Sequence, residues 1–198
     1  IRDIHLRPLY GNLSIEEQQN AIAPLKTSGH RKVVIATNIA ETSLTIEGID
    51  VVVDSGLARE PVFDPSTGMT RLQTRKISRA SSIQRMGRAG RLRPGRCYRL
   101  WSADQQQQLA AHAEPEILQA DLAPLALQLL QWGINDPAEL SWLDAPPTGA
   151  WSQAIELLTA LGALQKTDTS LVLTQHGKAM TTLPVHPRLA HLLVCGVK

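Results

Sequence analysis

The sequence predicts an α/β fold in its first half, a parallel sheet with helices, followed by a mostly helical second part. Three observations carry that reading. Two continuous apolar runs, Lys32 to Thr37 and Ile49 to Asp54, have the composition of strands buried on both faces of a parallel sheet. They alternate with helix and turn signals in the strand, helix, strand, turn, strand order of such sheets. Charge is lopsided: residues 1–103 hold 16 Lys/Arg and 9 Asp/Glu, a net +7, whereas residues 104–198 hold 4 and 9, a net −5. A basic half joined to an acidic half places a domain boundary near residue 103 and any polyanion-binding surface before it.

Ile4 to Tyr10 reads as a first strand, closed by the turn pair Gly11-Asn12. Ser14-Ile15-Glu16-Glu17 has the spacing of a capping box and opens a helix that stops at Pro24. After the second and third strands, Thr37-Asn38 and Asp54-Ser55-Gly56 fall at strand carboxyl ends, where α/β sheets gather ligands. Phe63 to Met69 carries Asp-Pro and Gly punctuation, predicting a hairpin from about residue 58 to 76. Arg96 to Trp101 is the closing strand.

Past residue 103, Asp121 caps a helix to Trp132, and Thr148 to Leu161 forms another that ends at Gly162. Leu164 and Leu171-Val172-Leu173 flank the polar turn Lys166 to Thr169 as a small β-wing. Thr174 caps a third helix and Pro187 starts a fourth. Helices around a wing suggest a winged-helix module over 104–186, with 187–198 opening a further helical segment. Such modules often read DNA, but that demands basic charge, and this half is acidic. It reads as a scaffold. Three of the four tryptophans lie after residue 130 and are expected as core anchors. His176, His186 and His191 are expected as surface or capping residues. Cys97 and Cys195 are far apart, in no C-x-x-C pattern, so neither structural zinc nor a disulfide framework is expected, and a reducing cytoplasm fits. No apolar run reaches the roughly 18 residues of a membrane span.

The most informative stretch is ISRASSIQRMGRAGR, from Ile77 to Arg91. Arg85, Arg88 and Arg91 recur every three residues, which on one continuous helix would set them close to one face. Guanidinium groups grip phosphate oxygens bidentately at any working pH, and Gly87 and Gly90 leave room for a phosphate or another backbone. No acidic residue lies between Pro65 and Ala103, against ten basic ones. A solvated basic face or a loose RNA-binding patch would show the same three arginines. The pattern nevertheless suits a triphosphate held by arginine fingers.

Upstream lies ATNIAETSLTI, Ala36 to Ile46. Together with QRMGRAGR it resembles motifs V and VI of the DEAH-box RNA helicases of superfamily 2 and, within them, the bacterial HrpB type, through Arg59 to Pro65 and Leu92 to Trp101. The resemblance runs from Leu6 to near the C-terminus. It implies that residues 1–103 are a second RecA-like helicase domain, and it assigns roles. Arg88 and Arg91 would contact the γ-phosphate of ATP, and Gln84 would help position the attacking water. Thr45 and Glu47 would contact the ATP ribose, with Glu47 standing where many relatives carry aspartate. Ser43 would relay nucleotide state to the RNA grip, and Thr37 and Asn38 would hold the RNA backbone, unless they merely satisfy loop groups. The hairpin would lie beside the RNA strand, unless it is a surface hairpin without a role. Arg85 is expected in structural or inter-domain contacts.

Many relatives stack an aromatic residue on adenine before a proline; Ile22-Ala23-Pro24 here implies weak discrimination among NTPs. The sequence holds no G-x-x-x-x-G-K-[ST] and no D-E-x-H. The phosphate cradle and the Mg²⁺ ligands are thus expected in an upstream RecA-like domain, and the chain alone is not expected to hydrolyse ATP. The expected partners are that domain and single-stranded RNA, without a membrane. A non-catalytic RNA-binding module is an alternative, as, more remotely, is a winged-helix DNA regulator.

Overall fold

The computed structural model describes residues 3–25, 27, 29–41, 45–91, 93–167 and 170–196. The chain divides into two compact units, 1–61 with 72–113, and 62–71 with 114–198.

The first unit begins with β1 (Ile4–Leu9), α1 (Ile15–Ile22) and β2 (Arg31–Ala36). Ser14 caps α1 as its spacing predicts: its hydroxyl accepts the Glu17 N–H at 3.3 Å, and the Glu17 carboxylate accepts the Ser14 N–H at 2.9 Å. The Ser14 hydroxyl also donates to that carboxylate at 2.7 Å, and this bond first, then the one from the Ser14 N–H, holds the Glu17 carboxyl below its ordinary value. At the other end, Lys32 on β2 donates to the carbonyls of Ala21, Ile22 and Ala23, at 3.1, 3.2 and 2.8 Å, where the helix leaves them without partners of its own. β1 and β2 pair in parallel, from Ile4 opposite Arg31 to Leu9 opposite Ala36.

Next come β3 (Val51–Asp54), the hairpin strands β4 (Leu57–Asp64) and β5 (Met69–Lys76), α2 (Arg79–Met86), β6 (Arg96–Arg99) and α3 (Ala103–Gln108). β3 pairs with β6 in parallel, from Val51 opposite Arg96 to Asp54 opposite Arg99. Among the described residues the parallel sheet is therefore two separate pairs. Nor are its strands buried on both faces. Helix α1 packs on β1 and α2 on β3, shielding one set of alternate side chains. The other set stays open, with Val33 45%, Ile35 61%, Val51 50% and Val53 64% exposed.

The hairpin turns where its punctuation predicts: Asp64 C=O accepts the N–H groups of Thr67 and Gly68 at 3.2 and 2.8 Å, and Gly68 takes φ 63°. Its tip, residues 62–71, belongs to the second unit.

The rest of the second unit contains α4 (Ala123–Gln131), α5 (Thr148–Ala160), β7 (Leu164–Lys166), β8 (Leu171–Leu173), α6 (Gln175–Thr181) and α7 (Pro187–Gly196). Its core joins Ala126 and Leu130 of α4, Leu158 of α5, Leu164 of β7, Met180 of α6 and Ala190 of α7. Strands β7 and β8 form the small antiparallel hairpin expected there, though Asp168 and Thr169 of its turn lie outside the described residues. Asp121 accepts the Ala123 N–H at 2.9 Å with one oxygen and meets His186 at 2.8 Å with the other. His186 Nδ1 also accepts the Arg188 N–H, so this histidine does cap a helix start. The tryptophans behave unequally. Trp151 packs on the core and Trp142 is half-buried, but Trp132 is 70% exposed. It terminates α4 beside Gly133, φ 85°, where the chain turns away and its ring stays outside. No described helix is long and apolar enough to cross a membrane.

Candidate functional site

The arginine stretch does not form one helix. Ser78 opens α2 by accepting the Ser81 N–H at 3.1 Å, and α2 stops at Met86 with Gly87 as its cap. Glycine is a poor helix former, and two of them three residues apart end the helix. From there the chain runs in tighter turns, Arg88 N–H to Arg85 C=O and Ala89 N–H to Met86 C=O, each 3.1 Å. Only Arg85 thus lies on α2, and the three arginines do not share a helix face. They divide between a buried ion-pair network, which holds Arg85, and one cleft, which Arg88 and Arg91 line.

Arg85 is the structural member. Its Nε donates to Glu41 and one terminal nitrogen to Asp54, both at 3.0 Å, and that nitrogen also donates to Leu57 C=O at 3.1 Å. Its acidic partners come from other segments of the chain rather than from α2. Asp54 is buried and also accepts the Gly56 N–H at 3.0 Å. The carboxyl end of β3, expected to meet a ligand, is therefore occupied by Arg85.

Arg88 and Arg91 reach the other long motif. Arg88 donates to the Glu41 carbonyl and Arg91 to the Thr45 hydroxyl. Burial, then the nearby Arg91, pushes the Arg88 guanidinium below its ordinary value; at any working pH it stays charged. Thr45, Arg88 and Arg91 line one cleft of about 330 Å³ with Ile46, Gly48, Ile49, Asp50 and Arg93. Arg93 and Asp50 form a bidentate pair at its edge, which holds Arg93 up. Sequence reasoning missed Arg93. Its one available signal was position, two residues past Arg91 and directly before Pro94. Behind this turn the backbones touch: a Cβ at Gly95 would lie 2.0 Å from the Ala89 carbonyl oxygen. Gly90 faces open space, so room remains beside Arg88 and Arg91.

The other candidates are placed less uniformly. Gln84 is exposed on α2. Glu47 is exposed and does not line the cleft; its charge is felt by Lys32, whose ammonium burial and Arg7 push down and Glu47 pulls up. Thr37 follows β2, starts a short 3-10 turn over Asn38–Ala40 and makes no side-chain capping bond there. Both Thr37 and Asn38 are exposed. Ser43 lies outside the described residues.

Three guanidinium groups and a hydroxyl around one cleft form a donor set for polyphosphate. Among the described residues the cleft's one carboxylate is Asp50, which Arg93 engages. The family model described as the helicase conserved C-terminal domain matches residues 1–93. This segment belongs to the helicase C-terminal domains. The ATP-dependent RNA helicase HrpB of Escherichia coli (strain K12) is 53% identical over 192 residues, which are 97% of this chain and 23% of that protein. A crystal structure of Escherichia coli DEAH/RHA helicase HrpB superposes with a TM-score of 0.89 at 53% identity, over 97% of this chain and 24% of that one. The ATP-dependent RNA helicase DEAH12, chloroplastic, of Arabidopsis thaliana is 42% identical over 94% of this chain and 10% of its own length. The chain thus spans about a quarter or less of the relatives it matches. In this helicase segment both long motifs line the same cleft, one through Thr45 and Ile46 and the other through Arg88 and Arg91.

Proposed function

We propose that this chain is part of the core of an ATP-dependent RNA helicase that moves 3′ to 5′, and that its cleft receives the ATP phosphates. The observation that carries the reading is the convergence of Arg88, Arg91 and Thr45 on one cleft, from stretches more than forty residues apart. Phosphoryl transfer spreads negative charge over three oxygens, and fixed guanidinium groups stabilise that charge. Arg88 and Arg91 act as the arginine fingers, and Gln84 helps position the attacking water. Thr45 and Glu47 serve the ribose, and Ser43 relays nucleotide state to the RNA grip. To receive ATP, Arg91 exchanges the Thr45 hydroxyl for phosphate oxygen, which also frees Thr45.

Mg²⁺ would neutralise phosphate charge when bound, and its ligands belong to an upstream RecA-like domain of the parent protein. Thr37 and Asn38, at the carboxyl end of β2, hold the RNA backbone. Such contacts are blind to sequence. The hairpin lies beside that strand. The domains are residues 1–103, a RecA-like domain; 104–186, a winged-helix scaffold; and 187–198, the start of a helical segment. The cytoplasm is the fitting compartment.

The test is steady-state ATPase of the intact parent, with and without single-stranded RNA, beside its Arg91→Ala variant. An arginine finger is worth about 10³–10⁵ in rate where measured, so RNA stimulation should vanish in the variant. Normal hydrolysis by Arg91→Ala would mean the cleft is not an ATP site, and the chain would then read as a non-catalytic RNA-binding module.

A further inference from the structure

The second unit brings together three side chains whose chemistry is that of a metal site. His176 stands on the first turn of α6, which Thr174 caps by accepting the Gly177 N–H at 3.0 Å. His191 and Cys195 stand four residues apart on α7, the spacing that sets two side chains one above the other on a helix face. Helices α6 and α7 pack on each other, with Met180 and Ala190 buried in the shared core.

His176 Nε2 lies 2.8 Å from His191 Nδ1. Cys195 Sγ lies 3.9 Å from His191 Nδ1 and 3.8 Å from its Nε2. One ligand atom from each of the three residues lies within 4.8 Å of the other two. Fifteen residues separate His176 from His191, so no sequence spacing announces the group; the packing of α6 on α7 creates it.

We propose that His176, His191 and Cys195 bind a zinc ion that clamps α7 to α6. Two imidazole nitrogens and a thiolate are a zinc donor set. With Zn–N near 2.0–2.1 Å and Zn–S near 2.3 Å, a tetrahedral N···S edge is about 3.6 Å and an N···N edge about 3.4 Å. The Cys195–His191 separation is already close to such an edge. The two imidazoles would part by about half an ångström, a change that side-chain rotation supplies. The fourth position is filled by water. A histidine pair alone would be read as one hydrogen bond between helices. The thiol standing over the same ring is what turns the pair into a ligand set. Cys195 is exposed and in no disulfide, so zinc can reach it and binds it as the thiolate.

The clamp fixes α7 on α6 within the second unit. It therefore orients the outer apolar face of that helix, where Leu189, Leu192 and Leu193 are 54%, 64% and 51% exposed.

The experiment uses the intact parent protein, purified without a metal-chelating tag from zinc-supplemented cells. Zinc per chain is measured by mass spectrometry for wild type, Cys195→Ser and His191→Gln. Wild type should exceed each variant by about one equivalent, since removing a ligand from a three-residue site empties it at the concentrations used. Reading the difference makes zinc bound elsewhere in the parent irrelevant. Cobalt(II) added to metal-stripped protein supplies the second readout. A thiolate-to-cobalt charge-transfer band should appear in wild type and be missing in Cys195→Ser. Equal zinc in all three proteins, or no such band in wild type, overturns the proposal. The cobalt readout on wild type does not depend on any variant folding.

Discussion

Replacing Arg85 with methionine should cost far more than loss of a surface ion pair. Its side chain is 15% exposed, against 13% for Glu41 and 2% for Asp54. Three bonds at about 3 Å end on one guanidinium, and the methionine stem keeps much of its apolar volume while removing every donor. Asp54 is then left as a buried carboxylate whose remaining partner among the described residues is the Gly56 N–H. Removing one partner of a buried ion pair costs about 3–5 kcal/mol, whereas exposed pairs are worth about 0–1. The slight exposure of Arg85 and Glu41 argues for the lower end, about 3 kcal/mol. For a chain of this size that corresponds to a melting temperature about 6–12 °C lower.

Urea unfolding followed by circular dichroism measures the loss directly. A second substitution sharpens the test. Asp54→Asn in the Arg85→Met background removes the stranded charge, and should recover at least about 1 kcal/mol through coupling of neighbouring sites. A loss below about 1 kcal/mol for Arg85→Met, or no recovery in the double variant, would refute the buried-network account. Arg85 would then behave as a surface arginine.

Three further outcomes are expected. Gly95→Ala puts a Cβ 2.0 Å from the Ala89 carbonyl oxygen, a backbone atom that cannot swing aside. Overpacking of this kind costs about 1–3 kcal/mol or more, and a melting temperature equal to wild type would show that the turn behind Arg91 yields freely. Glu17→Gln should destabilise at neutral pH, because Ser14 holds the Glu17 carboxyl below the ordinary 4.5. The carboxylate's contribution is present above that value and lost as pH falls through the lowered one, so the gap between the two proteins should close in acid; a gap that is unchanged from neutral pH into acid would contradict the capping account. The parent should hydrolyse GTP, CTP and UTP at rates comparable with ATP, since Ile22 offers no aromatic face for the base. A strong preference for ATP in competition kinetics would count against this.

Much of the local structure was legible because it depends on neighbours in sequence. The Ser14 capping box, the Asp64 turn, the Thr174 cap and the small hairpin before it are decided within a few residues, by hydrogen bonds that only those residue types make. The motif residues were legible for a different reason. Arg88, Arg91 and Thr45 stood out through the resemblance of two long motifs, and the structure brings all three to one cleft.

What only the tertiary structure decided are relations between distant segments. Equal spacing suggested one shared helix face, but the glycines break the helix; the resemblance had set Arg85 apart as structural, and only the structure shows its partners, Glu41 and Asp54, and the cleft that Arg88 and Arg91 line with Thr45. The apolar runs marked the strands correctly, yet apolar composition does not say which face a helix will cover, and one face stays open. Trp132 looked like a core anchor until its place at the end of α4 put it outside. His176, His191 and Cys195 were unremarkable at their separations in the chain, and the packing of two helices placed them around one point. Sequence dictates what each side chain can do; which groups it meets is settled by the fold, because contact energies act through space rather than along the chain.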